Sequence, residues 1–371
     1  MIIVESTSLV PGMVIAKDIF DQSYTLMVGK GTALTPNMVS KLKGFTETEF
    51  FVDNLPTEAN EEVERILTER LSEEHDQVIN SVARYFNSVA ASNTLDTQVI
   101  KNMVDEIQNQ INLSSNILLN LSHLKSFDEY LFSHAVNVSI IALIIGRKLN
   151  LYHEDLEQLG ITALLHDIGM LKIKKEVFDH NRVLSAAEWE QIKEHPVYGA
   201  YFIKNSGEFA PSIVCGVMDH HERVDGSGYP YGKKGVDISF FGKIVAVADV
   251  YDACISLRKH RKRMTPRQAL KNLLGDSHRF DLDVLRAFVA SMAIYPIGSY
   301  VRLNTGEIAK VVGCNPDQPF RPQIRIQIDK DRQKLEQTVR INLAEEANFQ
   351  LYIEETMEED RLEMVRAILE S

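Results

Sequence analysis

Residues 161–169 read Ile161-Thr162-Ala163-Leu164-Leu165-His166-Asp167-Ile168-Gly169, an apolar run that ends on an imidazole beside a carboxylate. The run predicts the end of a buried helix, and Gly169 is a natural stop for it. Burying a histidine next to an aspartate is unfavourable unless they are paired with each other or bound to a cation. The dipeptide alone leaves both readings open: a metal ligand set, or a histidine–aspartate hydrogen bond inside a core.

On either side lie more polar residues where apolar ones are expected. Glu194-His195-Pro196 places a histidine just ahead of a proline suited to the first turn of a helix. His220-His221 ends the apolar segment Ile213–Met218 and leads into Glu222-Arg223-Val224-Asp225-Gly226-Ser227-Gly228-Tyr229-Pro230. Asp249 falls inside Ile244-Val245-Ala246-Val247-Ala248-Asp249-Val250, where an unpaired carboxylate is poorly tolerated. Taken singly, each has an ordinary reading: a capping histidine, a surface pair, a satisfied core aspartate.

The helical pattern containing these residues fills about 123–291, inside a chain of 371 residues, which is long enough for two or three compact domains. Residues 1–54 read as a small mixed α/β module. It has short strands in Val14–Ile19 and Thr25–Val28, a helix opened by Thr35-Pro36 and running to about Leu42, and a closing strand at Phe50–Val52. Residues 55–122 read as paired helices broken at Ala91-Ser92-Asn93, with apolar steps at Val63, Ile66, Leu67 and Leu71 and again at Val99, Ile100, Val104, Ile107 and Ile111. Such helices either join an input module to the helical segment at 123–291, pair with a second copy as a homodimer, or pack on their own core. Residues 292–371 read as a small β-rich module with strands at Tyr300–Leu303, Ala309–Val312 and Gln323–Ile328, ending in a helix over about Glu358–Leu369.

Composition narrows the partners. The apolar fraction of 44% and charged fraction of 25% suit a globular protein. A net charge of −12 disfavours nucleic-acid polymers and anionic membranes. Cys215, Cys254 and Cys314 are dispersed and read as free thiols of a reducing compartment. Met-Ile-Ile-Val-Glu at the start lacks the pattern of a secretory leader, and the greasiest run, Ala135–Gly146, reads as a buried helix too short to span a bilayer. A cytoplasmic protein is expected.

Together, His166-Asp167, His195 before proline, His220-His221, the loop through Gly228-Tyr229-Pro230 and the aspartate of Asp249-Val250-Tyr251-Asp252 resemble the HD-GYP phosphodiesterases, a bacterial signalling branch of the HD hydrolase superfamily. The resemblance spans roughly 128–270 and implies a mainly α protein with an all-helical catalytic core. By position it implies metal ligands at His134, His166, Asp167, His195, His220, His221 and Asp249, with His166 and Asp167 catalytic. Two roughly six-coordinate ions offer about twelve positions. Seven side chains with Asp167 bridging fill about eight, a bridging hydroxide two more, and about two remain for phosphate oxygens.

The resemblance further implies hydrolysis of a cyclic dinucleotide, chiefly cyclic di-GMP, to the linear dinucleotide or mononucleotides, with the bridging hydroxide as nucleophile. Imidazole and carboxylate ligands without thiolate suit iron or manganese and tolerate nickel or zinc. It places substrate contacts at Arg258 and Arg261, within the basic run Arg258–Arg263, and at Gly228, Tyr229 and Pro230, with Tyr229 chiefly supporting the loop. Two departures stand out. Tyr130 occupies the place of an acidic residue that in some relatives helps hold a third metal, so two metals are expected, with Glu129 adjacent. Met170 occupies the place of a frequent lysine, with Lys172, Lys174 and Lys175 close behind. A binding module without turnover, a phosphodiesterase for hybrid cyclic GMP-AMP and a different HD hydrolase are the alternatives.

Overall fold

The structure is a computed structural model and describes residues 2–6, 9, 11–20, 26–43, 49–54, 60–113, 130–174, 177, 184–206, 209–256, 264–292, 295, 298–315, 318–357 and 359–370. The chain opens with β1 (Ile2–Glu5), β2 (Val14–Ile15), β3 (Ile19–Phe20), β4 (Leu26–Val28), α1 (Pro36–Leu42) and β5 (Glu49–Asn54). β5 pairs antiparallel with β1 and β2, and β3 with β4. The Thr35 hydroxyl accepts from Met38 N at 3.3 Å and caps α1 in the expected place. Leu9, Met13, Ile15, Val28, Leu34, Val39, Leu42, Phe50 and Val52 form a separate small core. Sequence reading misses β1, because a four-residue strand is defined by its partner β5 rather than by its own pattern.

Next come α2 (Asn60–Ser92) and α3 (Thr97–Leu113). Asn93 ends α2 with positive φ, which places the break where the sequence suggests it. Of the readings open for this pair, packing on the chain's own core accounts for the buried described side chains. Val78, Ile79, Val82, Phe86 and Val89 of α2 and Ile100, Met103, Val104, Ile107 and Ile111 of α3 join one core with the helices beyond residue 130.

Those helices are α4 (Tyr130–Lys148), α5 (His153–Leu165), α6 (Ala186–Ile192), α7 (His195–Asn205), α8 (Pro211–Asp219), α9 (Phe240–Ile255), α10 (Pro266–Gly275) and α11 (Leu282–Ser291), with a 3-10 turn at Ile168–Lys172. α4 is the central element and packs on α5, α9 and α11. It is longer than its apolar run suggested. Leu131–Lys148 is long and apolar enough to cross a membrane by length and composition alone, yet most of that window is buried among the other helices. Capping explains several starts: Ser185 with Glu188 before α6 and Thr265 with Gln268 before α10 form reciprocal caps.

The chain ends with β6 (Tyr300–Leu303), β7 (Ile308–Gly313), β8 (Gln323–Ile328), β9 (Lys334–Asn342), β10 (Ile353–Thr356) and α12 (Glu359–Glu370). The strands form one antiparallel sheet ordered β10-β6-β7-β8-β9. Three strands were expected here, and five form. β9 is an edge strand with no buried residue among those described, so it carries no apolar alternation to read. Val301, Leu303, Ala309, Val311, Ile324 and Ile326 belong to the same core as the helices.

Candidate metal centre

Three histidines are aimed by one device. Each lies just past a helix end, where the last carbonyls have no partner within the helix. His166 Nδ1 sits 2.7 Å from Ala163 O at the end of α5. His195 Nδ1 sits 2.7 Å from Ile192 O at the end of α6. His220 Nδ1 sits 2.6 Å from Val217 O at the end of α8. A carbonyl only accepts, so each Nδ1 carries the hydrogen, which leaves Nε2 as the atom that presents a lone pair whenever the ring is neutral. His134, early in α4, is held by a carboxylate instead: its Nδ1 lies 2.6 Å from Asp252 Oδ2 on α9.

All four Nε2 atoms converge on Asp167, and they divide between its two oxygens. His166 and His134 approach Oδ2 at 3.5 and 4.0 Å. His195 and His220 approach Oδ1 at 3.0 and 3.7 Å. Asp249 straddles the same two sides, with Oδ1 3.2 Å from His134 Nε2 and Oδ2 3.6 Å from His221 Nδ1. All seven residues singled out from the sequence therefore meet, from five helices and the turns between them. Two groups that could each hold a cation result: Asp167, His195, His220 and His221 in one, and His134, His166 and Asp167 in the other, with Asp167 common to both. Asp249, treated from sequence as addressing one ion, thus has an oxygen toward each group.

The donor set fits divalent cations. His166 is fully buried, and its Nε2 has no hydrogen-bond partner. His195 Nε2 and His220 Nε2 lie 3.2 Å apart, so two lone pairs face each other unless a proton or a metal lies between them. Burial works against both carboxylates being charged. The neighbouring imidazoles nonetheless hold Asp167 and Asp249 well below the usual carboxylate range, His166 and His195 foremost for Asp167 and His134 and His221 for Asp249. Burial lowers His166 to about 4 and also depresses His221, so both stay neutral and available as ligands. Burial pushes His195 down too, but Asp167 beside it carries it above its ordinary value.

Glycine permits the convergence at one point. A Cβ on Gly169 would lie 2.0 Å from His195 O and 2.6 Å from Gly199 N, so the 3-10 turn can reach α7 only without a side chain there. Close approach, rather than helix termination, is what this glycine supplies, since α5 has already ended at Leu165. Gly169→Ala is expected to lower stability by about 1–3 kcal/mol, the usual range for overpacking. It should also lower metal content, because the displaced atoms are the backbone of His195. Urea unfolding and metal analysis read these separately, and a variant matching the parent in both would show that the turn can yield.

The loop after His221 folds back on the centre. Tyr229 stacks on His221 with ring centroids 4.5 Å apart. The Glu222 carboxylate accepts from Tyr231 N and Lys233 N at 2.8 and 3.0 Å. Gly228 lies against the backbone of His221, Glu222 and Arg223 with no room for a Cβ. Pro230 follows Tyr229 through a cis peptide bond. Burial, with the charges of Asp249 and Asp167, pushes the Tyr229 phenol up, so it stays protonated.

Arg258 and Arg261, with the rest of that basic run, fall outside the described residues, as do Glu129, Lys175 and the side chain of Tyr130. Met170 packs with Ile173, Val177, Leu184 and Ile192. Lys172 Nζ donates to Asn93 Oδ1 at 2.5 Å, which ties it to the end of α2. Sequence reasoning missed Asp252 and Asn137 as supports. Asn137 Nδ2 donates to Asp252 Oδ1 at 2.9 Å. Their positions carry a signal, since each lies one helical turn beyond a candidate ligand, Asp252 after Asp249 and Asn137 after His134.

Residues 121–284 match the family model described as HD domain, and residues 300–363 match a KOW domain associated with HD domain. The chain is similar to a cyclic di-GMP phosphodiesterase of Pseudomonas aeruginosa, at 31% identity over 246 residues, covering 66% of this chain and 59% of the relative. It is similar to a cyclic di-GMP phosphodiesterase of Borreliella burgdorferi, at 30% identity with 57% of each chain covered. It is also similar to a 3'3'-cGAMP-specific phosphodiesterase of Vibrio cholerae, at 33% identity over 149 residues, 40% of this chain and 32% of the relative. This chain thus spans less than two thirds of the length of these curated relatives.

Proposed function

We propose that this chain, whose residues 121–284 belong to the HD domain family, is a metal-dependent phosphodiesterase that hydrolyses a cyclic dinucleotide. One observation carries the reading: the two oxygens of Asp167 face separate imidazole groups, the arrangement needed to hold two cations side by side. Similarity to relatives named for cyclic di-GMP and for 3'3'-cGAMP supports the substrate class. Cyclic di-GMP is the preferred substrate in this reading, with the hybrid cyclic GMP-AMP second.

The residues proposed to hold two divalent ions are His134, His166, Asp167, His195, His220, His221 and Asp249, with iron or manganese ahead of nickel or zinc. When bound, such a pair lowers the pKa of a shared water and offsets the negative charge of a phosphodiester under attack. The chain's own part is to fix geometry. The Ala163, Ile192 and Val217 carbonyls set the tautomers of three ligands, and Asp252 sets that of His134. Tyr229 stacks on the His221 ring and holds it in place.

A cyclic-dinucleotide-binding module without turnover is the second reading. It is favoured by Met170 lying in an apolar cluster and Lys172 being tied to Asn93, so that neither offers a cation toward the phosphate. Purified protein loaded with Mn(II) or Fe(II) should convert cyclic di-GMP or 3'3'-cGAMP to linear or mononucleotide products, read by chromatography with metal analysis of the same sample. Metal-loaded protein that binds either nucleotide without converting it supports the second reading. Turnover of deoxynucleoside triphosphates in place of cyclic dinucleotides would point to a different HD hydrolase.

A further inference from the structure

Two polar residues interrupt the apolar faces of α2 and α3. His75 lies three and four residues before Val78 and Ile79, on the buried stripe of α2. Gln110 lies between Ile107 and Ile111 on the buried stripe of α3. Both are almost fully buried, as is Asn137 on α4. The His75 imidazole faces the amides of Gln110 and Asn137. Burial holds the ring below its ordinary pKa, which favours the neutral form with one donor and one acceptor nitrogen.

From Asn137 the polar contacts continue to the metal centre. Asn137 Nδ2 donates to Asp252 Oδ1 at 2.9 Å, and Asp252 Oδ2 holds His134 Nδ1 at 2.6 Å. Ser256 Oγ also donates to Asp252 Oδ1, at 2.9 Å. The half of the cluster near Asp252 is tightly bonded. The half near α2 is loose: both His75 nitrogens, both ends of the Gln110 amide and Asn137 Oδ1 lack a well-formed hydrogen bond. Buried polar groups are unfavourable unless paired, and these five atoms lie where the two N-terminal helices meet the catalytic ones. Apolar side chains at 75 and 110 would pack as well, so stability alone does not account for them.

We propose that His75 and Gln110 are positioning residues that link the placement of α2 and α3, through Asn137 and Asp252, to the orientation of the ligand His134. This rests on His134 being a metal ligand. Any displacement of α2 or α3 would alter the partners of Asn137 and hence the aim of His134. The loose end of the cluster is what lets the pairing change as the helices shift.

The test uses the full chain loaded with Co(II), whose visible absorption reports coordination geometry. His75→Phe, which keeps volume and removes both polar nitrogens, should weaken binding of one of the two ions by roughly three- to tenfold. That is less than the 10–100-fold typical of a group bonding a ligand directly. The same variant should change the Co(II) bands, and Gln110→Leu should act in the same direction. Val82→Ala, an apolar change on the same helix, should lower the melting temperature and leave the bands unchanged. Parental affinity and spectrum in both polar variants, or equal spectral change in Val82→Ala, overturns the link. Failure of the parent protein to bind Co(II) at all overturns the metal centre itself, and the link with it.

Discussion

Replacing Asp167 with alanine is expected to empty the proposed metal centre and abolish the proposed turnover together. Its two oxygens are the atoms shared by the two ligand groups, so its loss removes a ligand from each at once. The loss should therefore exceed the roughly 10–100-fold in affinity or activity that accompanies removal of a supporting partner such as Asp252. Alanine also leaves His134, His166, His195 and His220 around a gap where Asp249, with Asp252 behind His134, is the remaining source of negative charge. Asp167→Asn separates charge from shape, because the amide keeps the volume while one ligand oxygen becomes a donor. It should lose metal nearly as fully as the alanine variant. Metal content by elemental analysis and turnover on one preparation check this. Turnover by an Asp167→Ala protein that still holds two ions would remove the bridging role.

Acid should release the metal, beginning above the ordinary imidazole pKa. Metal binding needs neutral imidazoles, so protons compete with cations for the ligand set. His195 is raised by Asp167 and takes its proton while the pH is still above about 6.5. His166, at about 4, and the depressed His221 remain unprotonated through that range. Affinity should then fall about tenfold for each pH unit once His195 is the proton's site, or about a hundredfold over two units. In the metal-free protein, the part of stability arising from His195 has the opposite dependence. Its folded pKa lies above the unfolded one, so that part is fully present below about 6.5 and is lost as the pH rises through the folded value. His166 and His221, with lowered pKa values, oppose it and favour the folded state at higher pH. Equilibrium dialysis with Mn(II) at a series of pH values checks the competition. Occupancy that stays level from pH 7.5 to pH 5 would exclude His195 as the competing group.

Much of the helical core was legible because its signals are local. Apolar runs in α4, α5 and α9, the proline at the start of α7, and polar residues at helix ends placed the elements close to where they form. The candidate ligands were legible as a group because histidine and aspartate are conspicuous on buried faces, and the ordered series of such residues is itself a pattern. The loop through Gly228-Tyr229-Pro230 stood out through its glycines and proline, though its anchoring by Glu222 did not. β1, β9 and β10 escaped notice because short or edge strands take their definition from partners distant in the chain.

The sequence by itself determined which side chains had to be explained, since burying that many imidazoles and carboxylates demands a common compensating charge. Only the tertiary structure decided which oxygen of Asp167 meets which imidazole, that Asp249 spans both groups, and that Asp252 and Asn137 support His134. The physical reason is distance along the chain. His134 and Asp252 are 118 residues apart and meet because α4 packs on α9, a contact fixed by the sum of many apolar side chains. No local pattern contains that sum, and the direction of each ring, set by a carbonyl or a carboxylate within about 3 Å, emerges only once the helices are in place.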